Sequence, residues 1–289
     1  AEGSGRRIVA VVAVAHGASH YSHLLLAPLF PWLKDAFGLS YAELGFLMTV
    51  FFVVSGVGQT ASGFVVDRIG AVPVLLGSLL LMILGAVTLA SADSYAGLIA
   101  GSMLAGLGNC AFHPVDFTTL NDRIAPARLG RAYAMHGIAG NLGWAAAPVL
   151  LVGVASWQGW RAALLVSALL FVAIFLLVWI HRAWLAGVPV DGFGRGRASV
   201  GRDGGSDDGD SGRVGARPNA TPGARLASVD SSFGFLRLPA VWLSFVFFFT
   251  LAFALGGVQS FGPESARMIH SVQPQWAALC LTVFMLAGA

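Results

Sequence analysis

Eight apolar runs constrain what this chain can fold into. They cover approximately Ile8–Leu33, Leu44–Val66, Pro73–Ala90, Tyr95–Val115, Tyr133–Ala155, Ala162–Trp184, Ala240–Val258 and Gln275–Ala289. A helix rises about 1.5 Å per residue, so about 20 apolar residues cross a hydrocarbon layer about 30 Å thick. Seven of the runs meet that length. The eighth, Gln275–Ala289, is too short to span comfortably and is expected to continue in a longer chain. Charged residues make up 11% of the sequence, against about 25% in an ordinary soluble domain. Hydrophobic residues reach 56% and mean hydropathy is +0.76. The expected fold class is all-α, a polytopic membrane helix bundle. Cys110 and Cys280 both lie inside apolar runs and suggest neither a disulfide framework nor a cysteine metal site.

The runs are joined by short polar connections: Lys34–Glu43, Asp67–Val72, Ser91–Ser94, Val115–Ala132 and Ser156–Arg161. A different segment follows the sixth run, rich in Gly, Ser, Asp and Arg. Such composition buries too little to offset its ordering entropy. The chain therefore divides into a six-helix bundle over residues 1–187, a disordered linker over 188–238, and the start of a second bundle over 239–289. Lys and Arg set the orientation. With the N-terminus in the cytoplasm, 14 of the 17 basic residues fall inside and 3 outside. Without the six arginines from Arg195 to Arg225, 8 still fall inside against 3. The expected location is a cell (inner) membrane, crossed several times, N-terminus cytoplasmic.

Three motifs carry a family resemblance. Gly63-Phe64-Val65-Val66-Asp67-Arg68-Ile69-Gly70 interrupts the apolar pattern after the second run. It resembles the signature of the major facilitator superfamily between spans two and three, with Ala71 and Val72 where two basic residues usually follow. Gly143-Trp144-Ala145-Ala146-Ala147-Pro148 is similar to that superfamily's span-five antiporter motif, with Ala147 for its last Gly. Phe112-His113-Pro114, after Gly106-Leu107-Gly108, resembles the fosmidomycin-resistance-type branch of exporters. Val115 stands where that branch has Glu, Ser19-His20 where it has Asn-Asp, and Ser102 where proton antiporters have Arg. The resemblance implies a six-helix N-terminal half plus the first one or two helices of the second half. It also implies that Asp67, with Arg68, latches the outward-facing state against a helix of the other half, while Gly63 and Gly70 allow close packing and a tight turn. The alternative for Asp67 and Arg68 is an ordinary charge pair at the membrane surface.

Several polar side chains stand inside the apolar runs, where ionisable groups are costly and usually face a bundle interior or a wet cavity. On a helix His16, His20 and His23 fall on one narrow stripe near mid-membrane. Substrate binding or proton transfer is one reading, since imidazole titrates near neutral pH. Neutral packing and a shared metal ion are the others. His113 and Asp116 lie one turn apart near the cytoplasmic end of the fourth run. Asp116 can carry a proton there, or anchor to Arg123, Arg128 or Arg131. Pro114 frees the carbonyl of Cys110 and permits a bend. Asn109 is a cavity-facing polar group or an interhelical hydrogen-bonding one. Asn141 and His136 in the fifth run can line a cavity. Gly137, Gly140 and Gly143 leave one side of that run smooth for packing, and Pro148 permits bending. Trp157 and Trp160 are expected at the membrane interface.

No phosphate-binding Gly-Lys-Ser/Thr loop and no Ser/His/Asp or His-Glu-x-x-His arrangement is present, so no cofactor, catalytic residue or enzyme activity is expected. The basic linker residues alternate with Asp, which argues against nucleic acid. The expectation is a secondary transporter of a small organic solute, working by alternating access and driven by protons, with efflux favoured over uptake and no resident metal. Its partners are a small-molecule substrate, protons, the lipid bilayer, and further second-half helices or a partner chain. The alternative is a truncated or accessory membrane protein, or a sensor, without transport activity of its own.

Overall fold

A computed structural model describes residues 2–186 and 237–288. They form ten α-helices: α1 Glu2–His23, α2 Phe30–Phe37, α3 Tyr41–Ile69, α4 Ala71–Ser91, α5 Tyr95–Asn109, α6 Phe112–Arg123, α7 Pro126–Gln158, α8 Trp160–Leu185, α9 Pro239–His270 and α10 Pro274–Ala287. Seven helical segments are long and apolar enough to cross a membrane. In that count α1 and α2 form one segment, Gly5–Phe37, and α5 and α6 another, Tyr95–Arg123. The expected linker, residues 188–238, lies outside the described residues apart from Arg237 and Leu238. The described residues fall into two compact units, one of residues 2–186 with 256–288 and one of residues 237–255. The second is the first half of α9, where Phe245, Phe249 and Phe253 stack along one side.

The helices outrun the apolar segments because polar ends can lie beyond the hydrocarbon. Residues 67–72 and 156–161 are not loops. Single glycines turn the chain there, Gly70 between α3 and α4 at φ +90° and Gly159 between α7 and α8 at φ +84°. Asp67 and Arg68 therefore occupy the last turn of α3. The expected connection Val115–Ala132 is also mostly helical, with only Ile124 and Ala125 between α6 and α7.

Two of the seven membrane-crossing segments are broken. Pro28 and Pro31 lack the N–H groups that would continue α1 into α2, and a 3-10 turn over Ala27–Leu29 fills the gap. The fourth segment breaks at Cys110–Ala111, one turn before Pro114. The Cys110 carbonyl accepts a hydrogen bond from the Ser62 hydroxyl at 3.2 Å. α7, by contrast, runs unbroken through Pro148.

α1 is the centre of the first unit and packs against α5, α6, α7 and α8. Many large exposed side chains there are apolar, among them Phe46, Val53, Leu80, Leu142, Leu169 and Ile180. The buried set includes His16, Ser19, His20, Ser22, Ser55, Asn109, Asp116 and His136. Lipid outside the bundle explains the inversion: apolar side chains lose nothing by facing it, whereas polar groups find partners only inward. Trp157 is 83% exposed, but Trp160 is buried against Phe37 and stacks with Arg161. Trp160 is therefore a packing residue.

Candidate functional site

The polar interior is built where α1 meets α7. α1 carries three His on one face because residues 16, 20 and 23 share a helical stripe. α7 approaches that face closely. Gly143 packs on the backbone of Gly17, where a Cβ would collide with the Gly17 carbonyl. Gly140, one turn away, leaves the space occupied by the His16 and His20 rings. Gly137 faces open space among the described residues, so only two of the three span-five glycines form the packing surface.

Two hydrogen-bonded groups result. The first centres on Asn109. Its amide nitrogen donates to the Ser19 carbonyl at 3.1 Å, the Ser19 hydroxyl at 2.7 Å and the Ser22 hydroxyl at 3.2 Å. Its oxygen accepts from Ser55 at 2.8 Å and from His23 Nε2 at 3.2 Å. The Trp144 indole N–H donates to His23 Nδ1 at 3.1 Å. That donor leaves Nδ1 as the lone-pair nitrogen and puts the proton on Nε2, so the network specifies neutral His23.

The second group centres on Asp116, which is fully buried. Its Oδ2 accepts from His16 Nδ1 at 2.9 Å and from His136 Nε2 at 3.1 Å. A buried carboxylate is costly unless it is hydrogen-bonded, and these two imidazoles supply two hydrogen bonds. The His16 and His136 rings stack with centroids 3.5 Å apart. The His113 ring lies 5.1 Å from that of His16, and His20 lies 4.4 Å from His16 and 4.1 Å from Trp144. This group is only partly satisfied. His20 Nδ1, His113 Nδ1 and Asp116 Oδ1 are buried without hydrogen-bond partners.

The structure thus brings together His16, His20, His23, Asn109, His113 and Asp116. Asn141 stands apart: its amide donates to the Gly288 carbonyl beyond α10 at 3.2 Å. Asp67 and Arg68 are exposed and make no hydrogen bond or ion pair among the described residues. Gly70 makes the tight turn, while a Cβ on Gly63 would meet nothing within 4 Å. His136, noted in the sequence only as a cavity-lining candidate, is a direct partner of Asp116. Its signal was an ionisable side chain one turn before Gly140. Trp144, Ser22 and Ser55 carried no signal of their own, since such residues are ordinary in apolar helices.

Comparison with known proteins decides the family. Residues 12–289 match the model of the Major Facilitator Superfamily. The chain belongs to that superfamily. Its fold agrees with that of a protein of known structure, a bacterial homolog to the human lysosomal transporter Spinster in an inward-facing, unoccupied conformation. The TM-score is 0.75 at 14% identity, over 99% of this chain and 60% of that one. An MFS-type transporter of Bacillus subtilis is 27% identical over 182 residues, covering 62% of this chain and 43% of the relative. The fosmidomycin resistance protein of Escherichia coli is 26% identical over 180 residues, covering 62% and 44%. The matches span less than half the length of these two relatives. As a superfamily member, the chain is a multi-pass membrane protein.

Proposed function

We propose that this superfamily protein is a secondary transporter that moves a small organic solute by alternating access, coupled to protons and working in the direction of export. The observation that carries the reading is Asp116, a fully buried carboxylate held by two imidazoles inside an apolar bundle. Ionisable groups in such places are typical of proton and substrate paths. In this reading His16, His136 and Asp116 hold the proton. His20 and His113, each with a buried unpartnered nitrogen, face the solute. His23 and Asn109 position α1 against α3, α5 and α7. Asn141 belongs to the path only at its α10 end. Asp67 and Arg68 are a latch for second-half helices, and Gly143 with Pro148 sets the approach of α7. Residues 188–238 link two bundles in the cytoplasm, and the N-terminus lies on the same side of an inner membrane. Export is favoured by Phe112-His113-Pro114, the span-five motif and the similarity to the Escherichia coli resistance protein.

The test is accumulation of small toxic organic compounds, fosmidomycin among them, in efflux-deficient bacteria expressing the protein. Lower accumulation that is abolished by a protonophore and by Asp116→Asn is the expected result. Accumulation that is unchanged for every compound, or equally low in the Asp116→Asn variant, would defeat the proposal.

A further inference from the structure

Three imidazoles from three helices converge beside Asp116. His16 comes from α1, His113 from α6 and His136 from α7, and one ring nitrogen of each lies within 4.8 Å of one on each of the others. We infer that His16, His113 and His136 form a binding site for a first-row transition-metal dication of the Zn2+ type, with Asp116 orienting two of the three rings.

The hydrogen bonds favour this over packing alone. Asp116 engages one nitrogen of His16 and one of His136; when the rings are neutral and donate to the carboxylate, the second nitrogen of each carries a lone pair. Metal-ligating histidines have this arrangement, the far N–H being given to a carboxylate that sets the tautomer. His113 has a buried Nδ1 without a hydrogen-bond partner. Imidazoles that only pack are expected to satisfy their nitrogens, as His23 does here between Trp144 and Asn109. Three neutral imidazoles beside a carboxylate suit Zn2+, Co2+, Ni2+ or Cu2+ and not the hard ions Mg2+ and Ca2+. Tetrahedral Zn–N bonds of about 2.0–2.1 Å place donor atoms roughly 3.4 Å apart. Closing that difference takes rotation of half-buried His113 together with unstacking of the His16 and His136 rings, whose in-plane lone pairs run nearly parallel while they stack. Three protein ligands leave a fourth position open; His20, the next ring along α1, lies 4.4 Å from the His16 ring with an unpartnered Nδ1 but is not one of the three converging ligands.

The site shares side chains with the proposed solute path, but the inference rests on their geometry and not on transport. Its test therefore reads the metal alone. The protein is purified without a polyhistidine tag, stripped with a chelator and titrated with Co2+. Bound metal is measured by equilibrium dialysis, and the visible spectrum reports tetrahedral Co2+. One Co2+ per chain, displaced by Zn2+, is expected. Affinity should fall by about 10–100-fold in Asp116→Asn, which acts through the rings it orients, and further in His113→Asn and His136→Gln. His181→Ala and His270→Ala, outside the cluster, should bind as the parent does. Absence of stoichiometric binding, binding unchanged in His113→Asn, or binding lost in His181→Ala or His270→Ala would each overturn the inference. Variants are compared at equal helical content and monodispersity. His113, less buried than His136, keeps the test available if His136→Gln does not fold. Metal binding that survives while compound accumulation is unaffected would defeat the transport reading and leave this one standing.

Discussion

Asn109 shows how a single polar side chain orders this bundle. It accepts from His23 and Ser55 and donates toward Ser19 and Ser22, joining α1, α3 and α5. Asn109→Ala leaves several buried groups without partners, although serine hydroxyls can turn to nearby carbonyls. A loss of about 2 kcal/mol is expected from this change. Ser55→Ala removes one contact and should cost about 0.6 kcal/mol, the average for hydrogen bonds between membrane helices. Unfolding in mixed detergent micelles measures both; equal effects would contradict the hub role. At this scale the sequence was partly legible. The His16, His20 and His23 stripe follows from helical spacing alone. The division of labour within it does not: His23 joins Asn109 and Trp144 while His16 joins Asp116. Partners 86 and 100 residues away leave no local pattern.

Among the helices, the decisive contact is α1 on α7. Gly143 meets the Gly17 backbone, and Gly140 makes room for two rings. A methyl group at residue 143 forces the helices apart, so Gly143→Ala should destabilise the protein by about 1–3 kcal/mol. Gly137→Ala meets nothing and improves helix propensity, so it should be neutral or stabilising by up to about 1 kcal/mol. Thermal denaturation in detergent distinguishes them; a larger loss in Gly137→Ala would invert the assignment of faces. Spacing of three residues suggested one smooth side, but each step of three falls about 60° short of a full turn. Gly137 consequently points away from α1. The break in the fourth segment has a similar lesson. Pro114 signalled a freed carbonyl, and α3 answers it with Ser62, a partner no helix-by-helix reading could supply.

On the scale of the whole molecule, basic residues predict a cytoplasmic N-terminus and assign the Gly70 turn to that side and the Gly159 turn to the other. Cysteine substitutions test this in intact cells, on a background with Cys110 and Cys280 replaced by Ala. Asp67→Cys should resist a membrane-impermeant thiol reagent until the membrane is opened, whereas Trp157→Cys, highly exposed, should react at once. The opposite pattern would reverse the topology. Hydropathy by itself determined that this is a multi-pass helical membrane protein, and the spacing of Gly, Asp, Arg and Pro in three short motifs pointed to its superfamily. Both are local properties, written by the need to satisfy every backbone group inside lipid and by turns one residue long. Only the tertiary structure decided that Asp116 pairs with His16 and His136, that Asn109 ties three helices together, and that Asn141 lies apart. In an apolar solvent, an apolar helix face is equally acceptable to lipid and to a neighbouring helix. Which polar groups meet is therefore determined by how closely the helices approach and at what rotation, and not by hydrophobic patterning along any one of them.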